Sequence, residues 1–227
     1  MPVHTHRKYA AELRELREKL LTLGGLVEEA IARSVRSLAE RDTALARQVC
    51  EDDRRINRSE VEIDELCLRL LALHQPAASD LRFITLAMKV VTDLERIGDL
   101  AVNIAERAEE LNAIPPLKPW VDIPRMAQLA QRMLKEALDA FVAADAQRAR
   151  AILASDDEVD ELYRKVLREL LDMMAANPAI IPQGMAVLFV AKHLERIADH
   201  VTNVAEMVIF YVEGRDVRHP GSFDARR

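Results

Sequence analysis

Glycine and aromatic residues are scarce in this chain: 227 residues contain six glycines, and Phe, Trp and Tyr together make 4%. A β-sandwich or barrel needs frequent turn residues and draws on aromatics for its strands, so both are disfavoured. Cysteine is nearly absent. Cys50 and Cys67 both fall within helical pattern and read as buried free thiols of a reducing compartment rather than a disulfide. No apolar run approaches the ~20 residues needed to cross a bilayer. The N-terminal MPVHTHRKYAAELRELREK carries charge with no apolar segment behind it, so the chain is expected to stay in the cytoplasm. An excess of positive charge is also missing. The formal net charge is −6 and the pI about 5.6, which argues against a duplex-binding module, whose affinity comes largely from neutralising phosphates. There is no phosphate-cradling Gly-rich loop, no GxSxG, no paired-Cys motif and no nucleophile–base arrangement.

What is present is helical periodicity along almost the whole length. Half the residues are apolar and 31% are charged, with the two signs mixed. The pattern predicts six helices. The first runs from about Thr5 to Arg41, with Gly24-Gly25 expected to interrupt or bend it. Asp42 is suited to cap the second. HQPAASD breaks the pattern because Pro76 disfavours helix at the preceding residue, and Ser79 or Asp80 is expected to cap the third helix, which runs to about Asn112. NAIPPLKPWVDIP holds four prolines in thirteen residues and reads as a linker, in which Trp120 is expected to anchor against a bundle. Three more helices follow, at about Pro124 to Ala144, Asp145 to Ala176 and Pro182 to Glu213, with Gly214 as C-cap. The domain division is then 1–113 for a first three-helix bundle, 114–124 for the linker, 125–214 for a second three-helix bundle and 215–227 for an irregular tail.

The two halves repeat one another. LERIGDLAVNIAE from Leu94 returns as LERIADHVTNVAE from Leu194, and DTALARQVCEDDRRIN from Asp42 aligns with DAQRARAILASDDEVD from Asp145. Asp42/Asp145, Ala46/Ala149, Arg47/Arg150 and Asp53/Asp156 are identical across the repeat, and Ile56/Val159 is conservative. A period of about a hundred residues is a duplicated domain rather than a solenoid. The fold class is therefore all-α, a tandem of two three-helix bundles.

Inside the repeat lie acidic stripes. Residues four apart share a helix face, so Glu95, Asp99 and Asn103 form one stripe and Glu195, Asp199 and Asn203 its copy; Glu106 and Glu206 continue them. The preceding helix adds Asp53, Asn57, Glu60 and Asp64 in the first half. In the second half Asp156 and Asp160 match Asp53 and Asn57, but Tyr163 and Leu167 stand where Glu60 and Asp64 stood. Carboxylates at i and i+4 repel each other by a few tenths of a kcal/mol. Arg or Lys, protonation or a metal ion relieves that repulsion, and oxygen-rich sets suit hard cations such as Mg²⁺ or Mn²⁺, with Fe and Zn also open. Arg96, Arg107 and Arg196 are near enough in sequence to make these faces solvated, salt-bridged surfaces instead. Residue types alone leave both readings open. Neither His193 nor His200 follows a Glu by three residues, which disfavours ferritin-type di-iron chemistry. His4, His6, His74 and His219 are expected to face solvent, and Met173-Met174 to fill core.

The doubled LERIxD phrase, with QPAASDLR from Gln75 and EGRDVRH from Glu213, resembles the PhoU family of phosphate-specific transport system accessory proteins over nearly the whole chain. The resemblance implies a non-enzymatic cytoplasmic regulator, often dimeric, that holds the phosphate-starvation response off by linking the ATPase subunit of a phosphate ABC transporter to a membrane sensor histidine kinase. It implies no nucleic acid and no membrane insertion, with peripheral association at the membrane. It also implies multinuclear metal clusters, which would fall on Glu60/Asp64 and Glu95/Asp99 in the first half and Asp156/Asp160 and Glu195/Asp199 in the second, extended by Asn103 and Asn203. Ala198 stands in place of the glycine at Gly98. Tyr163 and Leu167 set the second site apart from the first. Two other classes stay beside this one: a metal-dependent hydrolase or oxidase, and a metal-free helical adaptor.

Overall fold

The computed structural model describes residues 3–76, 78–117 and 121–214, the side chains of residues 3–6 and 78 excepted. Trp120, His219 and the tail, and the side chains of His4 and His6, lie outside the described residues. Among the described residues the chain is all helical: α1 (Val3–Ala39), α2 (Thr43–His74), α3 (Ala78–Asn112), α4 (Asp122–Ala143), α5 (Ala146–Ala176) and α6 (Ile181–Glu213), with a 3₁₀ turn at Pro178–Ile180 before α6. No described helix is long and apolar enough to cross a membrane.

The repeat is visible in how these helices start. Asp42 and Asp145 each sit in extended backbone, and each carboxylate accepts the N–H three residues on, from Leu45 and Arg148, at 2.9 Å. That satisfies an N–H which the first turn leaves without a partner. Gly214 closes α6 at φ +67°, as the sequence predicts. Three other ends use non-glycine residues in the left-handed region, Arg41, Gln75 and Ala144. Arg41 puts that strained position to use: its Nη2 donates to the carbonyls of Asn112 and Ile114 at 2.7 and 2.6 Å, tying the α1–α2 turn to the end of α3.

Three local expectations fail for tertiary reasons. α3 begins at Ala78, so Ser79 and Asp80 lie in its first turn rather than at its cap, and the Asp80 carboxylate instead accepts the Tyr9 hydroxyl at 2.9 Å. Gly24-Gly25 does not interrupt α1, which is continuous through both. A Cβ at Gly24 would overlap Leu138 Cδ1, so this glycine allows α4 to approach closely. His74 is not at the surface: its side chain is 8% exposed, and Nε2 lies 2.7 Å from Glu12 Oε2. Cys50 and Cys67 are free, half-buried and buried respectively, and burial pushes the Cys67 thiol up to about 12.

Within each half, three helices pack together. Between the halves α3 lies against α6 and α1 against α4. Both inter-half pairs are antiparallel. Phe83 meets Tyr211 while Asp93 meets His200 further along, and Gly24 faces Leu138 while Gln131 donates to the Glu28 carbonyl at 2.9 Å. The two bundles therefore share one apolar core that runs from Leu16 and Ile31 through Ile97 and Ile197 to Phe141. Each such side chain stabilises the fold by about 1.5–3 kcal/mol when fully buried. This arrangement leaves α2 and α5 on the outside, each alongside the third helix of its own half. The acidic stripes lie along those two outer seams.

Candidate functional site: two acidic ridges

α2 and α3 run antiparallel, which brings their stripes together. Asp53, Glu60, Asp64 and Glu95 are half-buried, and Asp99 is exposed at the rim. They sense one another electrostatically. Burial raises the pKa of Asp53, Glu60, Asp64 and Glu95; Asp99 adds to the rise at Asp53, Glu60 and Glu95, and Asp64 adds at Glu60. Both effects disfavour the charged form, through lost hydration and through like charge. Asn57 donates its amide to Asp53 Oδ2 at 2.8 Å, which pulls the Asp53 pKa back only in part. Oδ1 of Asp53 and Oδ1 of Asp64 are buried with no hydrogen-bond partner. Asn103 is half-buried one turn beyond Asp99.

The second ridge has the same layout and a different charge balance. Asp156, Asp160, Glu195 and Asn203 are half-buried and Asp199 is exposed. Burial, then Asp199, Asp160, Asp157 and Glu195, push the Asp156 carboxyl up to about 6. Desolvation and Glu195 raise Asp199 as well. Here two cations intervene. Arg164 Nη2 donates to Asp160 Oδ2 at 2.6 Å, and Lys192 Nζ donates to Glu195 Oε2 at 2.5 Å. Among the described residues no comparable ion pair reaches Asp53, Glu60, Asp64, Glu95 or Asp99. The arginines that the sequence suggested as neutralisers act elsewhere: Arg107 bonds Glu110 at 2.7 Å, and Arg196 and Arg107 help depress the His193 pKa after burial. Arg96 only moderates Glu95 through space.

The first ridge fits a metal ion in donor chemistry. It offers several hard oxygens, uncompensated negative charge, and two orphaned buried carboxylate oxygens. Its side chains are not drawn in around a point, however: among the described residues no three His, Cys, Asp or Glu side chains are placed to hold a metal ion. The sequence missed Lys192 and Arg164 because each reads as an ordinary surface cation on its own helix. It also gave no sign of a cavity of about 530 Å³ at the junction of the halves, lined by Val35, Leu111, Pro116, Ile123 and Val187 with Arg41 and Gln183 at its polar side.

The six helices, the internal duplication and the carboxylates along the two outer seams define an all-α protein of two repeated three-helix halves. Comparison with known proteins narrows that class. The PhoU domain model matches residues 20–108 and again 123–208, one copy per half, and this chain belongs to that family. It is 44% identical over 220 residues to the phosphate-specific transport system accessory protein PhoU homolog of Pseudomonas putida, covering 96% of this chain and 86% of that protein. The Escherichia coli K12 accessory protein PhoU is 36% identical over 218 residues, 96% of this chain and 90% of its own. The crystal structure of PhoU from Pseudomonas aeruginosa superposes with a TM-score of 0.87 at 43% identity, covering 91% of this chain and all of that one. The phosphate transport system regulatory protein PhoU from Streptococcus pneumoniae superposes at 0.86 with 32% identity and 93% of this chain covered. The tandem three-helix-bundle fold expected from the sequence is the fold of these relatives, and the family supports a role in regulating phosphate transport.

Proposed function

We propose that this chain is a cytoplasmic, homodimeric regulator that keeps phosphate-starvation genes off when phosphate is plentiful. It does so by joining the ATPase subunit of a phosphate ABC transporter to a sensor histidine kinase, associating with the membrane only peripherally. Its role is binding, with no reaction catalysed. The observation that carries this reading is the pair of family-matching halves held in one core with an acidic ridge on each outer seam. A rigid double-sided body of this kind engages two partners at once. It regulates them through different affinities for their alternative states, since a bound protein shifts an equilibrium only by differential binding.

A divalent or iron ion on the first ridge would be held by Asp53, Glu60, Asp64, Glu95 and Asp99, with Asn57 and Asn103 beside them; Fe, Mn, Mg and Zn all match these donors. It would supply positive charge that lets the carboxylates stay ionised side by side. The separation of the side chains favours a second reading, a metal-free adaptor whose negative ridge docks basic protein segments directly.

Deleting the gene is expected to make phosphate-starvation genes constitutive in high phosphate, measured with a phosphatase reporter. Normal repression without the protein sinks the regulatory assignment. Elemental analysis after chelator-free purification separates the two readings of the ridge: metal present in the wild type and lost in Asp99→Ala supports the first, and background metal in both supports the second.

A further inference from the structure

We infer that the second ridge carries its own cation, the ammonium of Lys192, and stays closed to metal ions while that side chain is in place. The inference deepens the metal-binding reading of the ridges and rests on it for what a vacant ridge would take up.

Lys192 Nζ bonds Glu195 Oε2 at 2.5 Å, and this Glu195 side chain is only 14% exposed. The same nitrogen stands 5.4 Å from the centroid of the Tyr163 ring, whose face attracts a cation. An i,i+3 pair on an open helix surface is commonplace and weak. This one differs because α5 supplies an aromatic partner for the ammonium.

The repeat shows what this replaces. At the 100-residue offset Lys192 corresponds to Thr92, whose hydroxyl turns back to the Met88 carbonyl at 3.1 Å. At the 103-residue offset Tyr163 corresponds to Glu60, Arg164 to Val61 and Leu167 to Asp64. The first ridge thus gathers five carboxylates (Asp53, Glu60, Asp64, Glu95 and Asp99) with no basic side chain in ion-pair contact among the described residues, a formal charge of −5. The second gathers four (Asp156, Asp160, Glu195 and Asp199) with Lys192 and Arg164, a formal charge of −2. Glu60 and Asp64 have no acidic counterpart there, while Asp160 replaces Asn57 and two cations are gained on the same two helices. A metal ion entering the second ridge must expel the ammonium from its carboxylate and from Tyr163, whereas one entering the first displaces no protein cation.

Titration calorimetry of Mn²⁺ into chelator-stripped full-length protein tests this. The variants are Asp99→Asn, Asp199→Asn, Lys192→Thr, Lys192→Arg and the double variant Lys192→Thr/Asp199→Asn, each checked for folding by its thermal transition. Asp199→Asn in the wild-type background is expected to leave Mn²⁺ uptake unchanged. Lys192→Thr is expected to gain Mn²⁺ affinity tenfold or more at an additional site, a gain that Lys192→Arg does not show and that the double variant loses. Loss of wild-type binding in Asp199→Asn, or no gain in Lys192→Thr, overturns the inference. Failure of the first ridge to bind metal looks different: wild type and Asp99→Asn both stay at background, while Lys192→Thr alone still decides the role of Lys192.

Discussion

His200 on α6 places its Nδ1 2.8 Å from Oδ1 of Asp93 on α3, joining the two halves through side chains that are 14% and 9% exposed. The corresponding residues under the repeat, His193 for Asp93 and Leu100 for His200, cannot make the same pair. The link is therefore made once and not twice. Removing either partner leaves the other buried polar group without its bond. Asp93→Ala is expected to destabilise the chain by about 1–3 kcal/mol, and Asp93→Ala/His200→Ala by less than the sum of the singles. Urea unfolding of the four proteins gives the coupling directly.

Gly98 and Ile56 form a second coupled pair. A Cβ at Gly98 would come within 3.1 Å of both Ile56 Cδ1 and Cγ2. The second half has Ala198 and Val159 at these positions, a larger residue facing a smaller one. Ile56→Val alone is expected to cost about 0.5–1.5 kcal/mol. Adding Gly98→Ala should recover about 1 kcal/mol, because alanine is the better helix former and Val leaves it room. Gly98→Ala without Ile56→Val should gain less. Equal effects of Gly98→Ala in both backgrounds in denaturant titrations would show that the two sites do not interact.

The adjacent glycines of α1 should respond in opposite directions. Gly24→Ala drives a methyl into Leu138 and is expected to cost about 1–3 kcal/mol. At Gly25 the space that a methyl would fill is open, with no atom beyond the local helix backbone within 4 Å, so Gly25→Ala should stabilise by about 0.8–1 kcal/mol. Leu138→Ala should make Gly24→Ala tolerable. Thermal melts of the three single variants and the Gly24→Ala/Leu138→Ala pair check the set.

Asp156 gives the chain a pH dependence. Its folded pKa of about 6 lies above the ordinary 3.8, so between these values the folded chain binds the proton more tightly than the unfolded chain. The stability linked to that proton is fully present below about pH 3.8 and is lost as pH rises through about 6. Asp156→Asn removes the charge and should raise Tm at pH 7.5 by about 2–4 °C, after allowing for solvent screening of a part-exposed group. The advantage over wild type should shrink toward pH 4. A constant difference across the range would contradict the coupling of Asp156 to Asp199 and its neighbours.

Helix periodicity, the proline-rich breaks and the doubled phrase made the fold legible, since a buried stripe and a cap such as Asp42 are local facts of the chain. The acidic stripes were legible for the same reason: i,i+4 spacing alone puts Glu95 and Asp99 on one face. What stayed hidden depends on meetings between helices distant in sequence. Gly24 reads as a helix breaker until Leu138 comes against it. His74 reads as a loop histidine until α1 brings Glu12 within 2.7 Å. Lys192 reads as a surface lysine until α5 lays Tyr163 beside it. The substitution of Tyr163 and Leu167 for two carboxylates was readable, but the cation that answers it lies on another helix.

The antiparallel pairing of α3 with α6, and of α1 with α4, gives the halves approximate two-fold exchange symmetry. Such a relation is what two identical chains of half this length would adopt when joined face to face, each covering the other's oily side. Cut at the proline-rich segment, the two pieces should therefore seek each other out in solution, and a fragment ending near residue 113 should self-associate in preference to remaining single.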